Sequence, residues 1–378
     1  MNKKNVVILY GGRSTEHEVS LRSACFVLKN LNQHKYNIFA IGINHSGEWI
    51  PQNTNKMLTN IEKLDFLPIE YSENSQSENW MEENIAKALL PIIKTIKDGE
   101  NEGKEETVVF PIIHGSYGED GCLQGLLEMS SLPYVGADTL SSAICMDKVV
   151  AKELVKSVGI NVVPYITFRR HEWDKRHTEI MLQIEQQFKS SVFIKPASLG
   201  SSIGASMVYA NDLSSLVTAI EHAFQFDEKV IVEKFINARE IQFAALGDYD
   251  PEISEAGEIN YGGSFYSYGT KYLNENFSQS EIPVNLPKTK VKEGQNICKK
   301  VFKVLQIYGL ARIDLFLSKD DDKYYFNEAN TIPGLTSVSQ YAQLWKHHGV
   351  EHSHLMDRLI EIAISRKEQR KKLKRAYK

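Results

Sequence analysis

Cysteine is scarce and scattered. Cys25, Cys122, Cys145 and Cys298 lie far apart, and none belongs to a Cys-x-x-Cys pair. That spacing excludes a disulfide framework and suggests no zinc site. Long hydrophobic runs are lacking too. No apolar stretch reaches ~18 residues, so no membrane span is expected. The apolar run after Met1-Asn-Lys-Lys leads directly into Gly11-Gly12 and is too short for the core of a signal peptide. The expected compartment is therefore the cytoplasm. Neither charge sign dominates: 44 Lys and Arg stand against 48 Asp and Glu. No global basic field points to nucleic acid. One basic run, Arg366 to Arg375, reads as a frayed, solvated helix end. Repeats and low-complexity tracts are absent. What is present, 42% hydrophobic and 24% charged residues over 378 positions, suits a soluble globular chain of two or three domains.

The chain opens with residues 6–10, a continuous apolar run of the kind that forms a parallel strand buried on both faces. Gly11-Gly12 follow. Thr15 with Glu18 three residues on reads as a capping box, with Glu18 as a helix cap, and the helix continues through Leu21, Ala24, Val27 and Leu28. Residues 36–44 read as a second strand. A strand, a glycine turn and a helix place a ligand at the strand's C-terminal edge, although two glycines alone are a weak signal. Residues 51–105 are polar and irregular and read as an insertion, with one amphipathic piece near 85–96. Residues 107–113 form another buried strand. His114-Gly-Ser-Tyr-Gly-Glu-Asp-Gly comes next, with glycines for tight turns and a His that is either structural or a ligand contact. Residues 136–147 read as a Ser-rich connection into a helix near 148–158, with a domain boundary near 145.

Further on, residues 192–196 end a strand at Lys195-Pro196. The loop 197–205, Ala-Ser-Leu-Gly-Ser-Ser-Ile-Gly-Ala, precedes a strand at 206–210. Backbone N–H groups in such a loop can cradle phosphate, and Lys195 adds a point charge; a flexible hairpin tip is the plain alternative. A helix at 212–224, a strand at 229–235 ending in Glu233-Lys234, and a strand at 241–246 follow. Residues 262–285 lack periodicity. A long aromatic loop with glycines inside a compact domain is expected to work as a lid. A helix over 288–308 leads to the last pattern.

That pattern spans residues 312–339. Two short strands, 312–317 and 324–330, flank an Asp-rich turn. With period-2 alternation Arg312, Asp314 and Phe316 share one face, and Phe326, Glu328 and Asn330 share another. A loop at 320–322 gives the parity that pairs 314 with 328 and 312 with 330. One face then carries Arg312, Asp314, Glu328 and Asn330. This is an oxygen set suited to Mg²⁺ beside a cation for an oxyanion. On this stretch alone a solvated edge hairpin is an equal reading.

The ordered set of motifs resembles the D-alanine–D-alanine ligase family of the ATP-grasp superfamily. It comprises Gly11-Gly-Arg-Ser-Thr-Glu-His-Glu-Val-Ser, His114-Gly-Ser-Tyr-Gly-Glu-Asp-Gly, Met146-Asp-Lys, Ile194-Lys-Pro, Gly200-Ser-Ser-Ile-Gly, Glu233-Lys-Phe, Lys271-Tyr, Arg312-Ile-Asp and Asn327-Glu-Ala-Asn-Thr-Ile-Pro-Gly. Singly each is weak; in order, over about residues 5 to 360, they are specific. The resemblance implies an α/β chain, α+β in its ATP-binding part, with three ATP-grasp domains. These would be a Rossmann-like parallel-sheet domain (1–145), a central domain (146–236) and a C-terminal domain (237–378) with the lid and the metal site. It implies that ATP phosphorylates one D-alanine and that the amine of a second attacks the acyl phosphate, giving a dipeptide for peptidoglycan synthesis.

Residue by residue, Asp314, Glu328 and Asn330 would hold two Mg²⁺ or Mn²⁺. Lys148, Lys195 and the loop at Gly200, Ser201 and Ser202 would bind phosphates, and Lys271 the transferred phosphate. Glu233, Lys234, Phe235 and Ile236 would read adenine, and Glu240 the ribose. Arg312 and the Gly334 amide would stabilise the oxyanion. Glu16, with His114 nearby, would take the first ammonium, and Ser201 and Tyr272 would join Glu16 as the lid closes. Ser339 would bind the second carboxylate. Two departures stand out. Gln340 replaces a usually bulky apolar residue beside the acceptor pocket, and the lid reads Tyr-Gly-Thr-Lys-Tyr. The resemblance also implies a homodimer with D-alanine and ATP as its small-molecule partners. The competing readings are a ligase that takes D-serine as acceptor and a non-catalytic ATP-binding protein.

Overall fold

The structure is a computed structural model that describes residues 3–70, 106–260 and 279–374. The chain begins with β1 (Lys4–Gly11), α1 (His17–Asn30), β2 (Tyr36–Ile43), β3 (Trp49–Gln52), α2 (Thr54–Asn60), β4 (Thr107–Ile112) and α3 (Cys122–Met129). These strands form a sheet in the order β3-β2-β1-β4, parallel except for β3. The apolar run in β1 is explained by two cores. Val6, Ile8 and Tyr10 face one with α1; Val7 and Leu9 face the other with α3. Each such side chain contributes ~1.5–3 kcal/mol by leaving water. The turn after β1 requires glycine: Gly11 has φ +88°, and a Cβ there would lie 2.2 Å from the Ile43 carbonyl oxygen. Ser20 of α1 fixes this end of the sheet, accepting from the Gly11 N–H at 2.7 Å and donating to the Ile112 carbonyl.

Two expectations fail in this region. The Thr15–Glu18 capping box does not form. The helix starts at His17 with Glu16 at its N-cap and no side-chain cap, and Glu18 lies exposed 3.6 Å from His45. Ser14 instead accepts from the Glu16 N–H and donates to the His114 carbonyl, so the Glu16 carboxylate points away from its own helix. The polar stretch after residue 51 also holds structure. Met57 and Ile61, together with Leu67, are buried in the first core. The piece near 85–96 lies outside the described residues.

The middle of the chain contains α4 (Thr139–Met146), α5 (Lys148–Ser157), β5 (Tyr165–Arg169), α6 (Arg170–Gln187), β6 (Ser191–Pro196), β7 (Ser206–Tyr209), α7 (Leu213–Ala223) and β8 (Lys229–Lys234). Its strands form an antiparallel sheet, β5-β8-β6-β7, with α6 and α7 against one face. The expected Ser-rich connection is largely the helix α4, capped by Asp138 accepting from the Ser141 N–H. Helix α5 is capped by Asp147 and buries Ala151 and Val155 in the core of the third sheet.

That sheet holds β9 (Ala238–Gly247), β10 (Glu252–Asn260), β11 (Gln279–Glu281), β12 (Gly309–Ser318) and β13 (Tyr324–Asn330), in the order β11-β10-β9-β12-β13. Helix α8 (Lys288–Val304) covers one face; α9 (Gln340–His347) and α10 (His352–Lys371) lie between the other face and the first sheet. The basic run is therefore no frayed end. Arg366 is buried, lies 4.3 Å from the Tyr134 ring centroid and donates to the carbonyls of Gly136 and Tyr134. Arg370 pairs with Glu128 and Asp138.

The hairpin pairs Arg312 with Asn330 and Asp314 with Glu328, as expected. Its turn differs, because Leu317 pairs with Tyr324. A β-bulge at Asn327 absorbs the difference. Phe326 consequently leaves the face of Glu328 and is buried with Leu315 and Leu317 in the third sheet's core.

Candidate active site

Two cavities adjoin between the sheets. One, of about 420 Å³, is lined by Lys195, Glu233, Lys234, Phe235, Ile236 and Glu240, with Ser202 of the loop between β6 and β7. The other, of about 790 Å³, is lined by Glu16, His114, Arg312, Asn330, Gly334, Ser339 and Gln340. Lys148, Gly200, Ser201 and Glu328 line both, so the cavities meet at these residues.

The loop between β6 and β7 takes its shape from left-handed residues: Ser201 has φ +54°, Ser202 +58° and Gly204 +67°. Successive turns of this kind gather backbone N–H groups into a concave surface. Lys148, at the first position of α5, donates to the Leu199 carbonyl at 2.5 Å and lies 3.4 Å from Glu328 Oε2. Lys195 Nζ lies 2.6 Å from Glu233 Oε2. Burial opposes the Lys195 charge, but Glu233 and Glu328 outweigh it and its pKa is raised. Burial likewise opposes the Glu233 charge; Lys152 and Lys195 outweigh it and hold its pKa at about 2. A ring pair, Phe193 and Phe235 at 6.1 Å, borders the same cavity.

At the junction, Ser201 Oγ donates to Glu16 Oε1, joining the central loop to the first helix. Arg312 grips Asp314 with two bonds, Nε to Oδ1 at 2.8 Å and Nη2 to Oδ2 at 2.7 Å. Burial opposes the guanidinium charge, yet Asp314 dominates and raises its pKa. Asn330 Nδ2 lies 3.2 Å from Asp314 Oδ2 and 3.5 Å from Glu328 Oε1. Turning that amide over brings Oδ1 to the same place. Among the described residues no three His, Cys, Asp or Glu side chains form a metal cage. Two carboxylates and a carboxamide fit Mg²⁺, which takes its remaining ligands from phosphate and water.

Ser339 is the N-cap of α9; its hydroxyl accepts from the Thr336 N–H at 3.1 Å and meets Thr336 Oγ1 at 2.7 Å. Gly334 packs against it: a Cβ on Gly334 would lie 3.2 Å from Ser339 Oγ. His114 is buried, with Nδ1 2.9 Å from the Ile332 carbonyl and Nε2 3.0 Å from Ser23 Oγ. Both ring nitrogens are thereby used and burial lowers its pKa, so His114 positions the 332 loop as a neutral ring. Lys271 and Tyr272 lie outside the described residues, as does most of the expected lid.

Two family models match the chain. Residues 5–137 match "D-ala D-ala ligase N-terminus" and residues 154–361 match "D-ala D-ala ligase C-terminus". The D-alanine–D-alanine ligase of Caldicellulosiruptor bescii is 41% identical over 374 residues, 99% of each chain. That of Acetivibrio thermocellus is 40% identical over 369 residues, 97% of each. The chain belongs to the D-alanine–D-alanine ligase family. Solved structures agree. The Coxiella burnetii D-alanine-D-alanine ligase gives a TM-score of 0.75 at 31% identity, covering 98% of this chain and 96% of its own. The VanG D-Ala:D-Ser ligase of Enterococcus faecalis gives 0.75 at 35%, covering 96% and 100%. As a member of this ligase family, the chain joins two D-alanines with ATP, in an ADP-forming reaction that serves peptidoglycan synthesis.

Glu119 and Lys152 are among the charged residues of the ligase fold to which the sequence reading gives no role. Glu119 lies inside the His114 motif and lines the larger cavity. Lys152 lies one turn after Lys148, a spacing that puts both on one face of α5. That i,i+4 pair of lysines was the available signal.

Proposed function

We propose that the two cavities divide the reaction between nucleotide and amino acids. The observation that carries this reading is their junction, where Lys148, Ser201 and Glu328 face both spaces. In the smaller one, Glu233 to Ile236 would read adenine and Glu240 the ribose. Lys148, Lys195 and the backbone of Gly200 to Ser202 would hold the phosphates. Asp314, Glu328 and Asn330 would hold two Mg²⁺ or Mn²⁺, which would supply positive charge to offset that of the phosphates. Lys271 is assigned to the transferred phosphate.

In the larger cavity, Glu16 would bind the ammonium of the first D-alanine and aim its carboxylate at the γ-phosphorus. Attack breaks the bond to ADP and leaves a D-alanyl phosphate. Ser339 and the N-terminus of α9 would bind the second D-alanine by its carboxylate. Its amine then adds to the acyl carbon. Arg312 and the Gly334 N–H would stabilise the oxyanion, where preorganised donors act most strongly. The tetrahedral adduct expels phosphate and the amine loses a proton. Ser201, linked to Glu16, and Tyr272 would shut the lid, keeping water from the acyl phosphate. We place the enzyme in the cytoplasm as a homodimer.

One observation favours a second acceptor. Among the described residues, Gln340 Oε1 is buried without a hydrogen-bond partner, on a side chain that lines the larger cavity. It could accept from the hydroxyl of D-serine, the acceptor named for the Enterococcus faecalis neighbour. Product analysis with D-alanine alone and with D-alanine plus D-serine tests both readings. One phosphate released per D-alanyl-D-alanine is the expected result. A higher kcat/KM for the mixed dipeptide would give the acceptor site to D-serine, and no phosphate release would refute the reading.

A further inference from the structure

Lys152 is fully buried, and its ammonium hydrogen-bonds two carbonyls and forms an ion pair with a carboxylate. Its Nζ lies 2.9 Å from Glu233 Oε1, 2.9 Å from the Asn327 carbonyl oxygen and 3.1 Å from that of Phe326. Glu233 is the next-to-last residue of β8 and lines the smaller cavity. Phe326 and Asn327 belong to the bulge that directly precedes Glu328. In a regular strand successive carbonyls point to opposite edges. Two successive carbonyls reach one ammonium here because the bulge breaks the ladder.

We propose that Lys152 is a positioning residue that aims two groups at once: Glu233 toward the nucleobase and Glu328 toward the metal. This rests on the nucleotide reading of the smaller cavity. The geometry separates the duties of two lysines. Lys195 faces the cavity from one side of Glu233, and Lys152 holds the same carboxylate from behind. Without Lys152 the charge of Glu233 falls on Lys195 alone, which draws that lysine off the phosphates. The two carbonyls lose their donor as well, and the bulge that presents Glu328 slackens.

The test compares full-length wild type with Lys152→Met, Lys152→Gln and Glu233→Gln. Equilibrium binding is measured for ATP and for inosine triphosphate, which lacks the 6-amino group. Mn²⁺ binding is read by electron paramagnetic resonance with ADP present, without turnover. Lys152→Met is expected to lower both the ATP-over-ITP preference and the Mn²⁺ affinity, each on the order of tenfold, the size of an outer-shell loss. Lys152→Gln keeps N–H donors for the two carbonyls but loses the charge on Glu233. It should lose the base preference and keep Mn²⁺ affinity near the wild-type value. The double variant Lys152→Gln/Glu233→Gln should be no worse than Glu233→Gln alone, since both act on one contact.

If Glu233→Gln changes base preference and neither Lys152 variant does, the proposal is overturned while the nucleotide reading stands. If Glu233→Gln itself keeps the wild-type preference, the nucleotide reading fails first and the proposal with it. Variants that fold with altered stability alone, or that both fail to fold, assign Lys152 to stability and overturn the proposal.

Discussion

Glu119 ties two loops with one carboxylate. Oε2 accepts from the Gly115 N–H at 2.8 Å, and Oε1 from the Ile332 N–H at 3.2 Å. Burial, and then the charge of Glu16, push its pKa up to about 8 from an ordinary 4.5. Above pH 4.5 the unfolded chain ionises at this position while the folded chain stays neutral until about 8. Its contribution is fully present below 4.5 and is lost as pH rises to about 8. Urea unfolding of wild type and Glu119→Gln should therefore show the wild type losing ground to the variant across that window, with a constant gap outside it. A gap that stays flat throughout would remove Glu119 from the titration. Glu233 has the opposite sign, its contribution fading as pH falls from 4.5 through about 2. Placement was legible at this scale where residues come in short motifs: Lys195 and the loop at 200–203 line the smaller cavity. It was hidden where the partner is distant in sequence: nothing near His114 announces that Ile332 takes one of its nitrogens.

The hairpin shows what an element's pattern can and cannot say. Arg312, Asp314, Glu328 and Asn330 share a face, as alternation required. Phe326 was assigned to the same face and is instead 0% exposed in the core. The two demands conflict on a regular strand, because an aromatic that needs burial and a carboxylate that needs the cavity sit two residues apart. The extra residue Asn327 resolves the conflict. Deleting Asn327 should leave Glu328 opposite Asp314 but take one carbonyl from Lys152. The expected cost is roughly 1–3 kcal/mol, the penalty of a buried donor without its partner. Chemical denaturation measures it, and unchanged stability would show that the bulge carries no such bond. At the cavity itself, Glu328→Gln should lower kcat by more than about a hundredfold, beyond the loss of an outer-shell partner. Near-normal turnover would contradict the proposal that Glu328 holds the metal. Helix α6 and strand β10 went unread because neither shows a clean period, being buried unevenly along their lengths.

Across the whole molecule, the family resemblance implies three domains but does not say how the three sheets join. The joint runs through α9 and α10, whose Tyr341, Leu344, Trp345, Leu355 and Met356 share one core with Val6, Ile8 and Tyr10 of β1. Composition misled here, since a dense basic run suggested solvent, whereas Arg366 is buried against Tyr134 and Tyr308. Arg366→Ala should destabilise the fold by about 2–5 kcal/mol, from two charge-assisted bonds to carbonyls. Thermal unfolding checks this; kcat at low temperature should stay close to wild type, and a loss of kcat without a lower Tm would contradict it. The shared core also bears on how the protein is born. The first sheet leaves the ribosome before α9 and α10, which follow the other two sheets in the chain. It must wait, partly uncovered, until those helices are made. Among multidomain proteins the N-terminal unit ordinarily folds first, during synthesis. In this ligase the first sheet becomes complete only with helices made after the other two sheets, so folding closes as a loop and not as a procession.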